Sequence, residues 1–144
     1  MSFRPRPSGS WALRLARSRS DRLKVPARDP VSLREIAGSA TGLTGVIWTL
    51  QEGGDLNANL VRFEGGRGVE EHVNDEVDVL IVGISGSGTV SVDGEAYPVS
   101  NGTVVFVPRG ATRSTRAAPE DFAYLSVHRR RGPLQIRGWA SRDG

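Results

Sequence analysis

The chain has 144 residues, enough for one domain with a hydrophobic core and too few for two domains of ordinary size. It contains no cysteine, which excludes disulfides and thiolate metal sites. No apolar run is long enough to cross a bilayer, and the first thirty residues lack the continuous apolar stretch of a secretory signal. We therefore expect a cytoplasmic protein, and the use of arginine in place of almost every lysine is typical of a GC-rich bacterial genome.

The net charge of +3 is unevenly distributed along the chain. Eight basic residues and two acidic ones precede residue 31, and five arginines with one aspartate follow His128. The stretch between them holds six arginines and thirteen carboxylates. The high pI therefore belongs to the ends, and we do not expect the protein as a whole to bind nucleic acid. An interaction module that uses the arginine-rich ends is kept as a second alternative function.

Residues 1–28 are rich in Arg, Ser and Pro, which indicates a poorly packed basic tail. Their composition also fits a transit peptide or a start codon placed too far upstream. The segment from Asp29 to Gly38 predicts one short helix, with Asp29 as N-cap, Pro30 as the first helical residue and Gly38 at the stop. We place a single domain at residues 29–137 and a C-terminal tail at 138–144.

From Gly45 onwards the pattern changes to short β-rich runs separated by Gly, Asn and Asp. The pair Asp93-Gly94 is a strong signal for a two-residue hairpin, because a type I′ turn needs positive φ at both central residues. Many short strands at regular spacing predict an all-β barrel or sandwich. The predicted strands are 45–50, 57–63, 69–73, 77–84, 88–93, 96–99, 103–107, 112–117, 122–128 and 133–137.

Two segments form a spaced framework of glycine, proline and polar residues. The first runs from Gly66 through His72 to Asp78, and the second runs from Gly102 through Pro108 and Gly110 to Arg113. This framework resembles the two motifs of the cupin superfamily, G-x5-H-x-H-x3,4-E-x6-G and G-x5-P-x-G-x2-H-x3-N, over about residues 45 to 128. The resemblance implies a double-stranded β-helix, or jelly-roll barrel, that often holds one metal ion and commonly forms a homodimer.

The positions that bind the metal in that family are only partly retained. The resemblance places His72, Asn74, Asp78 and Arg113 there, with Asn74 and Arg113 in place of two histidines and Ala117 in place of the final asparagine. As the motif carboxylate, Asp78 follows position 74 at the shorter of the two spacings that the first motif allows, x3. The glycine after it, Gly86, then comes one residue later than the motif has it, and a β-bulge or a longer strand would absorb the extra residue. Glu76 is the competing carboxylate.

Arginine stays protonated and has no lone pair to offer, so Arg113 cannot bind a metal ion. We predict that its guanidinium projects into the barrel, where it either pairs with Asp78 or binds the carboxylate or phosphate of a ligand. The alternative is an outward side chain, like those of Arg109 and Arg116.

A metal site would need a further donor, and His128 is the candidate. Strand alternation places Tyr124, Ser126 and His128 on one face, so His72, His128 and Asp78 or Glu76 could bind one divalent Fe, Mn, Ni or Zn ion. The simpler interpretation is that His128 ends its strand at the surface beside Arg129–Arg131. We favour no cofactor, and we expect Glu70, Glu71 and Asp75 to be solvated.

The leading hypothesis is a small single-domain protein of the cupin type that binds a small polar or anionic molecule through His72, Asn74, Asp78 and Arg113, with a degenerate metal site. The alternative is a metal-dependent enzyme of the dioxygenase, isomerase or decarboxylase type. We assign no catalytic residue. The expected partners are a small-molecule ligand and a second copy of the chain, with neither membrane nor nucleic acid.

Overall fold

The structure, a computed structural model, describes residues 29–50 and 54–130. Over these residues the chain forms α1 (Leu33–Ser39), β1 (Gly45–Thr49), β2 (Leu56–Phe63), β3 (Gly68–Val73), β4 (Val79–Val92), β5 (Glu95–Ser100), β6 (Val104–Val107) and β7 (Thr112–Arg129). All strand pairs are antiparallel. The predicted all-β jelly roll with one short N-terminal helix is confirmed. The expectations for residues 1–28, 133–137 and 138–144 concern parts of the chain outside the described residues.

The helix α1 begins three residues later than the sequence analysis predicts. Its N-cap is Ser32, whose hydroxyl accepts a hydrogen bond from the Glu35 backbone N–H at 3.2 Å. The prediction of Asp29 as N-cap and Pro30 as the first helical residue is therefore wrong. The segment from Ser32 to Glu35 has the Ser-x-x-Glu spacing of a capping box, and the Ser32 hydroxyl caps one free N–H group of the first turn.

Strand β7 is shared by both halves of the barrel. One of its edges pairs with β4 from Val79↔His128 to Val92↔Arg113. Its other edge pairs with β3 over the first half of β7 and with β2 over the second half. An 18-residue strand that is paired on both edges in this way carries the barrel from one half to the other.

The sequence analysis predicts two strands in place of β4 and two in place of β7. Each pair is one continuous strand, and the predicted breaks are bends at which the side-chain alternation changes phase. In β7, four residues from Ala118 to Asp121 lie opposite the single β4 residue Ser87. In β4, register shifts lie on both sides of Ser85. This irregularity absorbs the extra residue before Gly86, as predicted.

Close backbone packing at the bend requires a glycine on β4. A Cβ atom added to Gly88 would lie 2.3 Å from the ring of Phe122, which is fully buried. The Phe122 ring in turn packs 5.2 Å from the ring of Tyr124, measured between centroids. Gly88 therefore lets Phe122, the largest of the fully buried side chains, fill the space beneath the bend.

The hairpin between β4 and β5 has the predicted type I′ geometry. Asp93 has φ of 51° and Gly94 has φ of 86°, so both central residues are left-handed. The Asp93 carboxylate also accepts hydrogen bonds from the backbone N–H of Thr112 at 2.9 Å and from its hydroxyl at 3.2 Å. The turn is thereby attached to the start of β7.

Buried side chains form two clusters on opposite faces of β2 and β7. Neighbouring residues alternate between them: Val61 and Tyr124 belong to the inner cluster, whereas Leu60 and Ala123 belong to the outer one. The helix α1 covers the outer cluster, with Ile36 and other apolar residues in contact with the sheet. Because α1 packs against the outer face, the inner face of the barrel is left open for a cavity. No helix within residues 29–50 and 54–130 is long and apolar enough to cross a membrane.

A buried arginine joins the α1–β1 connection to the sheet. Arg62 is 4% exposed, and its Nη1 donates hydrogen bonds to the Leu43 carbonyl at 2.9 Å and to the Glu64 carboxylate at 2.8 Å. Its Nη2 donates to the carboxylate of Asp121 in the β7 bend. The hydrogen bond from Arg62 holds the pKa of Glu64 below its usual 4.5. The buried guanidinium is thus paired with two anions, as burial of a charge requires.

We expect Arg62→Met to destabilise the protein by about 2 kcal/mol, because methionine fills much of the same space and makes none of the charged hydrogen bonds. The free energy of unfolding in urea measures the loss. Arg34→Met, at an exposed position of α1, is the matched control and should change stability by less than about 0.5 kcal/mol. Equal stability of the two variants would show that the Arg62 contacts contribute nothing.

Candidate functional site

A cavity of about 420 Å³ opens on the inner face of the barrel, between β1, β2, β3, β4 and β7. Its polar side chains come mainly from β7, with Asn59 of β2 and His72 of β3 in addition. Residues from both halves of β7 reach it because the bend at Ala118–Asp121 changes the phase of alternation. The β7 residues are Arg113, Thr115, Tyr124, Ser126 and His128, and the apolar lining consists of Val46, Val61, Phe63, Val69 and Ile81.

His72 and Arg113 are register partners in the β3–β7 ladder, and their side chains meet in the cavity. Arg113 Nε donates a hydrogen bond to His72 Nε2 at 3.1 Å, and His72 Nδ1 lies 2.9 Å from the Glu70 carbonyl oxygen. An Nε2 that accepts and an Nδ1 that donates define a neutral imidazole with its proton on Nδ1. Arg113 is half-buried and faces inward, so the inward orientation predicted from the sequence is confirmed.

His128 also lines the cavity, with its Nδ1 2.8 Å from the Arg129 carbonyl oxygen. The surface position that we favoured from the sequence is therefore wrong. The strand does not end there: β7 continues to Arg129, and His128 pairs with Asn57 on one side and with Val79 on the other. Because β7 is paired on both edges here, His128 follows the same alternation as Tyr124 and Ser126 and also points inward.

Asn74, Glu76 and Asp78 do not line the cavity. The Asn74 Oδ1 accepts from the Glu76 backbone N–H at 2.9 Å, and the exposed Asp78 accepts from the Arg109 backbone N–H at 2.8 Å. The exposed Glu76 lies between them. Because β3 ends at Val73, residues 74–78 belong to a loop, where strand alternation no longer sets the direction of a side chain. The expected carboxylate beside His72 is not found there.

The cavity does not have the donor set of a transition-metal site. Within the described ranges, no three His, Asp or Glu residues are grouped closely enough to hold an ion. The atom of His72 that would coordinate a metal, Nε2, already accepts from Arg113. A guanidinium at that distance would also repel a cation in a site of reduced dielectric constant. The metal ion implied by the resemblance does not fit these residues.

Tyr124 supplies a neutral phenol to the cavity. Its hydroxyl lies 3.3 Å from Thr115 Oγ1, and its side chain is buried. Burial raises the pKa of Tyr124 above its usual 10.0, although the Thr115 hydrogen bond and the charge of Arg113 act in the opposite direction. The phenol is therefore protonated at neutral pH and can both donate and accept.

The sequence analysis did not identify Asn59 or Thr115 as site residues. Both could have been found from alternation: Asn59 shares a face of β2 with Val61 and Phe63, and Thr115 lies two residues after Arg113. Neither type carries a charge or a metal-binding group, and so neither drew attention. Glu70, Glu71 and Asp75 are exposed, as expected.

Comparisons with known proteins agree with this architecture. A family model described as a cupin domain matches residues 59–128. Among solved structures, KdgF from Halomonas sp. is 22% identical with a TM-score of 0.55, covering 60% of this chain and 79% of that one. An RmlC-like cupin from Shewanella frigidimarina is 19% identical with a TM-score of 0.54, covering 60% and 78%. The comparison with curated proteins finds no match.

The fold and the cavity define a small jelly-roll barrel with an internal site. The matched family model then identifies the class: residues 59–128 form a cupin domain. At these identities the solved structures establish the fold alone, so the chemistry of the site has to be argued from its own residues.

We expect stability to fall as pH rises above 10, because the unfolded chain ionises Tyr124 before the folded protein does. The stabilising contribution of the neutral phenol is complete below pH 10 and is lost as pH rises through the higher native pKa. Urea unfolding from about pH 8 to 11 should therefore give a steeper decline for the wild type than for Tyr124→Phe. Parallel declines would contradict the expected pKa shift.

We expect Arg113→His to create affinity for Zn²⁺ or Ni²⁺, because it removes the repelling guanidinium and places a second imidazole opposite His72, with His128 on the same cavity. Titration calorimetry should show binding at least about tenfold tighter than to the wild type. Arg109→His, at an exposed position, controls for the added histidine. A wild type that binds either metal as tightly as Arg113→His would contradict this account of the site.

Proposed function

We propose that this protein binds a small anionic molecule in the barrel cavity and that Arg113 binds the anion. The observation that carries the proposal is the position of the guanidinium, which is half-buried in the cavity and held there by His72. A guanidinium inside a cavity is less well solvated than one at the surface, so an anionic ligand gains more from contact with it there.

The charge of the cavity supports this assignment. Among residues 29–50 and 54–130, its lining includes Arg113 and no Asp or Glu, although the central part of the chain is acidic overall. Fixed in place, the planar guanidinium can bind a carboxylate or phosphate through paired N–H donors. The His72 contact uses the Nε–H group of Arg113, and it fixes the direction in which the guanidinium projects.

The neighbouring polar groups suit a ligand with hydrogen-bonding atoms. His128, Ser126 and Tyr124 lie at successive inward positions of β7 and can each donate or accept. Asn74 and Asp78, which we expected to contact the ligand, lie outside the cavity, so the proposal no longer includes them. The homodimer remains a prediction that rests on the resemblance.

We also propose that the site holds no metal cofactor, and the same geometry supports this. The metal-dependent enzyme considered above needed Asp78 or Glu76 beside His72, and both side chains are exposed and outside the cavity lining. Nothing in the described structure favours that alternative over binding.

The test is a panel of small anions, including acetate, glycolate, phosphate and sulfate, against glycerol and glucose as neutral compounds. We expect at least one anion to raise the thermal midpoint. The free energy of unfolding should increase by RT ln(1 + [L]/Kd), which is about 2.7 kcal/mol at a hundredfold excess of ligand over Kd. Arg113→Gln keeps an N–H donor for His72 and should weaken binding at least about tenfold.

Arg109→Gln is the control, because it removes one positive charge from an exposed position outside the cavity lining. Its anion affinity should equal that of the wild type. If no anion stabilises the wild type, or if Arg113→Gln and Arg109→Gln behave alike, then Arg113 does not bind an anion.

A further inference from the structure

The walls of the cavity differ sharply in polarity. The wall formed by β7 is polar along its whole length, from Arg113 to His128. The walls formed by β1, β2 and β3 present Val46, Phe63 and Val69, with Asn59 and His72 as the exceptions. Apolar and polar side chains therefore border the same cavity.

The apolar wall is incompletely covered by the protein. Val46 is 46% exposed, and Phe63 and Val69 are each only partly buried. In the inner core below them, by contrast, Val90 and Phe122 are fully buried. Apolar surface that remains accessible inside a concave site is a feature of ligand pockets, in which the ligand completes the burial.

The polar wall carries a single permanent charge. Arg113 is the only arginine or lysine that lines the cavity in the part of the chain that the structure describes, and His72 is neutral because its Nε2 accepts from Arg113. One fixed positive charge balances one negative charge. A dianion such as phosphate would retain excess negative charge in a partly desolvated site, which is unfavourable.

We infer that the ligand is an amphipathic monocarboxylate, whose carboxylate binds Arg113 and whose hydrocarbon body lies against Val61, Phe63 and Val69. The inference rests on the proposed function and narrows it from anions in general to one chemical class. The cavity volume of about 420 Å³ lies at the small end of the range for ligand sites, about 300–1,000 Å³. A short or medium-length carboxylic acid fits that volume.

The experiment is a calorimetric titration of the full chain with straight-chain carboxylates from acetate to octanoate, the matched primary alcohols, and phosphate and sulfate. We expect affinity to rise about three- to fourfold for each added methylene until the cavity is filled. Each alcohol should bind at least about tenfold more weakly than its carboxylate, and Arg113→Gln should abolish that difference.

A second variant tests the apolar wall separately. Val69→Thr keeps a β-branched side chain of similar volume but adds a hydroxyl to the apolar wall, so it should reduce the gain in affinity for each added methylene. Val104→Thr, on the exposed face of β6 outside this cavity, is the matched control and should keep the wild-type dependence on chain length. Circular dichroism confirms that both variants are folded.

The outcomes separate this inference from the proposed function. Arg113-dependent anion binding with no gain from chain length, or with phosphate or sulfate tighter than hexanoate, would overturn the amphipathic monocarboxylate and leave the anion site standing. A failure of every anion to bind in an Arg113-dependent way would overturn both.

Discussion

The structure depends on the continuous pairing of β7 along both of its edges. This strand pairs with β4 on one side and with β3 and then β2 on the other, so it joins three other strands of the barrel directly. Side chains on a strand with two partners have little freedom to turn, because the backbone cannot rotate without breaking two ladders. The polar wall of the cavity inherits that rigidity, which is a requirement for a preorganised binding site.

Arg113 and His72 place an organic cation where this kind of scaffold often holds a metal ion. Their positions face each other across the β3–β7 ladder, where the resemblance expects two metal ligands. A guanidinium at one of them supplies a permanent charge and fixes the tautomer of the imidazole at the other. A guanidinium, unlike a metal, presents a flat array of donors in one plane, so it selects ligands by shape as well as by charge.

The scaffold was more predictable from the sequence than the site. Turn signals such as Asp93-Gly94 depend on local backbone preferences, and they appear in the structure as expected. The inward direction of Arg113 also followed from the motif spacing. The errors at Asp78 and His128 have different causes. Strand β3 ends before Asp78, so alternation no longer sets the direction of that side chain. Alternation did place His128 with Tyr124 and Ser126, and the surface position was favoured only because of the arginines that follow. Strand ends depend on pairing partners far away in sequence, which local patterns do not encode.

The ion pair between Arg62 and Asp121 has an effect on the far side of the sheet. Asp121 belongs to the four-residue bend at which β7 changes phase, and Arg62 ties that bend to β2 and to the Leu43 carbonyl. None of the three lines the cavity. The strand ladders set the register in which Tyr124, rather than Ala123, faces inward, and this outer contact stabilises the bend next to that register. A charge pair outside the cavity thus supports the strand geometry that orients the side chains within it.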